Sequence, residues 1–195
     1  LLEENEPGVR YLALRDLLDL PADDPQLLQA KQRAHSEGHI AVILSKMQPE
    51  GYWGKAGPGY SPKYRSTVWS LILLAQLGAQ MEMDERIHTA IGYYLQNAFT
   101  PQGQISYNRA PGGTIDCLQG NMCYALHALG CRDEHLDMAY EWMARSVTGE
   151  GVAPLTDRQA ELKYEMHQCG PLFACGANDR QSCAWAAVKI MLAFG

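Results

Sequence analysis

A pattern recurring roughly every fifty residues constrains this chain more than any single residue does. Each unit holds an amphipathic helix, a glycine-containing loop and a helix that is apolar almost all round. The apolar segments cover residues 66–77, 117–129 and 182–194, and each runs into a glycine: Gly78, Gly130 and Gly195. Their amphipathic partners cover 39–47, 84–96 and 133–145, two of them opened by a capping aspartate, Asp84 and Asp133. Gly51, Gly103 and Gly151 mark the loop starts. A helix apolar on every side must be buried, whereas its partner can face water, so such pairs build a double layer of inner and outer helices. Residues 1–38 add a helical pair: Val9, Leu12, Leu17 and Leu18 keep helical spacing up to Pro21, and Asp24-Pro25 opens a second segment to about residue 35. Period-two alternation is absent outside the loops. The expected fold is all-α, with three helix pairs (39–78, 84–130, 133–195) forming one continuous domain behind the N-terminal pair.

Composition narrows the partners. A formal charge of −6 with no Lys/Arg cluster speaks against a nucleic-acid surface. The longest apolar runs fall well short of the ~20 residues that cross a bilayer, and no basic-then-apolar start resembles a signal peptide. A cytoplasmic protein without a membrane span is the expectation.

Gln48-Pro49-Glu50-Gly51-Tyr52-Trp53 is a Q-x-x-G-x-W string at the end of an outer helix. On a repeat of this length it resembles the QW motif of squalene/hopene cyclases and of protein prenyltransferase β-subunits. Later copies are degraded: Gln96 with Gly103-Gln104-Ile105, then Gly151 alone. The resemblance implies an α/α toroid around an apolar cavity, here a partial toroid expected to continue beyond Gly195. It also implies a plain task for the motif, with Gln48 on open carbonyls at the outer-helix end, Gly51 making the turn and Trp53 covering it. The D-x-D-D acid of the cyclases is absent. The prenyltransferases hold zinc through Asp, Cys and His, and here Asp116-Cys117 opens an inner helix while His167 lies in the following loop.

The cysteines supply a second expectation. Cys117, Cys123, Cys131, Cys169, Cys175 and Cys183 all fall in the second half. Aligning the inner helices on their terminal glycines puts Arg65, Cys117 and Ser182 at equivalent N-terminal positions, with Cys183 next to them. The third loop adds Cys169-Gly170 and Cys175-Gly176. Helix N-termini favour thiolates, so Cys117, Cys169, Cys175 and Cys183 are candidate zinc ligands, with Asp116 or His167 as substitutes and an iron–sulfur cluster as the other metal reading. Their spacings match no common zinc or ferredoxin pattern, and buried free thiols or disulfides remain open. Cys123 reads as core packing.

The loop Gly57-Pro58-Gly59-Tyr60-Ser61-Pro62-Lys63-Tyr64-Arg65 leads into the first inner helix. Tyr60, Tyr64, Arg65 and Trp69 are candidate ligand-binding residues, Arg65 facing an anionic group; a loop packed by its own aromatics, with Arg65 paired to a carboxylate, is the plainer reading. His35, His39, His88 and His135 read as solvated. The functional expectation is a cavity protein acting on an apolar, isoprenoid-like small molecule, with an unassigned reaction. The rival is a non-catalytic scaffold with structural cysteines. Either form would have its last apolar helix covered by a C-terminal continuation or another protein chain.

Overall fold

The structure is a computed structural model that describes residues 1–154, 156–160, 162–163 and 169–195. It is mostly helical. In chain order come α1 (Pro7–Asp16), α2 (Pro25–Ser36), α3 (His39–Leu44), α4 (Thr67–Gln76), α5 (Glu85–Ala98), α6 (Asp116–Ala128), α7 (Glu134–Thr148) and α8 (Ala184–Phe194). Between α7 and α8 a short antiparallel pair, β1 (Ala174–Cys175) and β2 (Gln181–Ser182), folds within the third loop. Among the described residues no helix is long and apolar enough to cross a membrane.

Local chemistry starts and stops the helices. Asp24 accepts from the Gln26 and Leu27 amides at 2.8 and 3.3 Å, ahead of Pro25 at the first helical position. Asp84 and Asp133 each accept from the amide two residues on, at 3.0 Å. These contacts satisfy donors that a helix start leaves open. Helix α7 runs a turn beyond the sequence expectation because Gly149, in left-handed backbone at φ 75°, ends it.

Inner helices pack side by side, α4 on α6 and α6 on α8, while α5 lies on α4 and α7 on α6. Val68, Leu71 and Leu74 of α4 and Met122 and Leu126 of α6 are fully buried, each stabilising the fold by roughly 1.5–3 kcal/mol relative to exposure. The α6–α8 contact is the tightest. A Cβ at Gly120 would lie 2.6 Å from the Ile190 amide nitrogen, so the α8 backbone rests directly on α6. By contrast α8 leaves Trp185, Val188, Met191 and Phe194 half or more exposed.

The Q-x-x-G-x-W string works differently from the expectation. Gln48 is exposed, and its backbone amide bonds the Tyr52 carbonyl at 2.8 Å. The Trp53 indole, 4% exposed, donates to the Ile43 carbonyl at 2.8 Å, so it is Trp53 that satisfies the end of α3. Gly51, at φ 99°, sits where a Cβ would come within 2.7 Å of the Thr89 carbonyl on α5. Gly103 meets the Met138 backbone of α7 in the same way. The buried Gln119 side chain then clamps the second loop, accepting from Ile105 N at 2.6 Å and donating to Gly103 O at 3.0 Å.

Gly120→Ala gives a first test. Better helix propensity favours alanine by ~1 kcal/mol, but the new methyl meets backbone that cannot rotate away, which costs ~1–3 kcal/mol or more. The variant is expected to unfold at a lower urea concentration than the parent, with α8 loosened in hydrogen exchange.

Candidate functional site

Helix α6 begins one residue before Cys117, at Asp116, which has 0% exposure. Among the described residues neither oxygen of its carboxyl has a hydrogen-bond partner. Burial alone pushes this carboxyl up to about 7, because an unpaired charge deprived of water is far costlier than the neutral acid.

Two thiols, Cys117 and Cys169, feel the charge of this acid. Burial first, then Cys183, Asp116 and Cys175, push the Cys117 thiol up to about 11. Cys169 is raised by burial and by the charges of Asp116 and Cys175, while the Asp116 amide partly offsets the rise. Cys117 is thus within electrostatic reach of Cys183, Asp116 and Cys175, and Cys169 within reach of Asp116 and Cys175; all four are free cysteines. The close approach at Gly120 joins the two helices that carry Cys117 and, as the α8 cap, Cys183. The sequence alignment of helix starts was offset: Cys183 caps α8 and Ser66 caps α4, whereas Ile115 caps α6, two residues before Cys117. Cys123 is buried mid-helix, where burial raises its thiol strongly.

Among the described residues no group of three or more His, Cys, Asp and Glu side chains is arranged to hold a metal ion. His167 lies outside the described residues.

A second cluster lies at the entrance to α4. Tyr64 stacks on Trp69 with centroids 4.8 Å apart, and Tyr60 lies 5.6 Å from Trp69 and 6.2 Å from Tyr107. Tyr64, Arg65 and Trp69 line a pocket of about 450 Å³ together with Lys46 and Trp53; Tyr60 packs behind Trp69 and is not part of its wall. Arg65 makes no ion pair among the described residues, so the expected carboxylate partner is not seen. The sequence reading missed Lys46, which is distant in the chain and carries no local signal.

His35 departs from its expectation. It is buried: its Nδ1 bonds the Lys31 carbonyl at 2.8 Å and its Nε2 accepts from the Gln80 amide at 3.2 Å. Burial lowers its pKa and keeps the ring neutral. The cause is the chain after α4 folding back over α2, which residue spacing within α2 does not reveal.

The Asp116 environment predicts a pH signature. The folded state holds a proton between about pH 4 and about 7 that the unfolded chain, with a carboxyl near 3.8, has released. This group's contribution is therefore most favourable below the lower value and falls as pH rises, by up to ~1.4 kcal/mol per unit, levelling off above about 7. In chelator-treated protein, urea unfolding should show Asp116→Asn gaining stability relative to the parent between pH 5 and pH 8. A constant difference would contradict the assignment.

Comparison of the chain with protein-family models, with curated proteins and with solved structures returned no match.

Proposed function

We propose that this chain is a helical-repeat protein of the cyclase/prenyltransferase kind, with an acid–thiol centre at Asp116 that works on an apolar, isoprenoid-like ligand. The observation that carries the reading is the Asp116 carboxyl, wholly buried and, among the described residues, without a hydrogen-bond partner. A structural carboxylate would be paired or solvated. One kept dry and titrating near neutrality is suited to giving up or taking a proton in chemistry. The same centre offers a place for zinc held by Cys117, Cys169, Cys175 and Cys183, with Asp116 as a substitute ligand. Burial keeps Cys117 and Cys169 protonated by themselves, and a bound cation would reverse that preference. Closing such a site requires the third-loop cysteines to draw in toward α6, since tetrahedral Zn–S bonds of about 2.3 Å leave sulfurs within ~4 Å of one another.

A scaffold role is favoured by a different observation, the exposed apolar face of α8 at Trp185, Val188, Met191 and Phe194. A groove of about 650 Å³ between α7 and α8, lined by Val147, Phe173 and Ile190 among others, extends that face. Such surfaces suit a further helix of the same chain or another protein.

Solvent extraction and mass spectrometry of purified protein, with elemental analysis of the same sample, separate the readings. An apolar small molecule co-purifying with the chain supports the ligand-acting reading, and its absence favours the scaffold. About one zinc per chain, lost in Cys117→Ser with the circular dichroism spectrum retained, supports the metal form. Iron with sulfide reassigns it to a cluster, and no metal leaves Asp116 as the acid alone.

A further inference from the structure

The pocket at the entrance to α4 has a character that the acid–thiol centre does not share. Its charged lining groups are Lys46 and Arg65, and among the described residues no Asp or Glu lines it, in a chain whose formal charge is −6. Among the described residues neither cation forms an ion pair or a side-chain hydrogen bond, whereas Arg15, Lys31, Arg33, Arg86 and Arg145 all do. Two unpaired cations lining one pocket repel each other, and an anion bound there relieves that repulsion.

Two of the aromatic walls are held by hydrogen bonds. The Trp53 indole is held by the Ile43 carbonyl and the Trp69 indole by the Tyr60 carbonyl, at 2.8 and 2.9 Å. Tyr64 takes a left-handed backbone, φ 66°, which is uncommon for a bulky residue and costly, and it thereby lies against Trp69. Lys63 stands 5.3 Å from the Tyr64 centroid and 5.8 Å from that of Trp69, so a cation already occupies the ring faces on that side. A cationic ligand would meet two positive lining side chains here, with Lys63 over the neighbouring rings. An anionic one with a planar apolar body would meet complementary charge and pre-organised aromatic surface.

We infer that this pocket binds a small organic anion, a phosphate or carboxylate carried on a flat apolar body, through Lys46 and Arg65 with Trp53, Tyr64 and Trp69 as its walls. The site is separate from Asp116 and stands or falls independently of the function proposed above. Volume agrees with the class: about 450 Å³ is at the small end of the range for ligand sites.

Phenyl phosphate is the probe, titrated calorimetrically against the full chain, with benzyl alcohol as the neutral comparison. Vesicles of phosphatidylglycerol in phosphatidylcholine distinguish a free anion from a lipid headgroup. The expected result is a phenyl phosphate Kd on the order of 0.1–1 mM, weakened about tenfold or more in Lys46→Gln and in Arg65→Gln. Benzyl alcohol should bind much more weakly. Both substituted residues are exposed, so the variants should keep the parent circular dichroism spectrum and melting temperature. Asp116→Asn should leave the phenyl phosphate affinity unchanged, which separates failure here from failure of the acid–thiol centre. The inference is overturned by no binding, by binding that survives both charge substitutions, by equal affinity for benzyl alcohol, or by vesicle binding without phenyl phosphate binding, which would assign the cations to a membrane surface.

Discussion

The approach of α8 to α6 at Gly120 is the contact on which the candidate site depends. With no side chain at that position, the Lys189–Ile190 backbone rests on α6. Cys183, the cap of α8, is thereby brought within electrostatic reach of Cys117 near the start of α6. The third loop, tied down by the β1–β2 pair, completes the enclosure with Cys169 and Cys175. The same closure removes Asp116 from water. Helix packing and the unusual chemistry of the carboxyl are thus one event described at two scales.

That closure works against stability. A buried carboxyl without a partner among the described residues, and the desolvated thiols of Cys117 and Cys169, add nothing that an apolar core would not supply better. The chain tolerates them because α4 and α6 bury large aliphatic side chains around them. Tyr64 shows the same opposition on a smaller scale, with strained backbone held by aromatic neighbours and by the hydrogen-bonded Trp69. Unfavourable local arrangements of this kind concentrate where a protein meets its ligand.

Features governed by neighbouring residues were readable from the sequence. The caps Asp24, Asp84 and Asp133 and the glycine helix ends depend on contacts a few residues away, and spacing reveals them. The order of amphipathic and apolar helices was readable for the same reason. Features that depend on contacts between units were not. Gly120 in a helix looks like a mere loss of propensity, and its role exists only once α8 arrives. Asp116 was legible as a substitute ligand, yet its lack of any partner is a property of the packed state. Trp53 took over the task expected of Gln48 because the indole reaches the Ile43 carbonyl from the far side of a turn. His35 looked solvated because Gln80, which covers it, is about 45 residues away in the chain.

The seating of Gly51 on α5 and of Gly103 on α7 means that the sequence repeat and the physical repeat are out of step. Each loop belongs by sequence to one helix pair and is supported by the outer helix of the next. No pair is finished until its successor has docked, so the smallest cooperative piece spans more than one period. Assembly of such an array proceeds by overlap: a unit arriving late leaves its predecessor's loop without a floor, and fraying at one end reaches back a full unit before it stops.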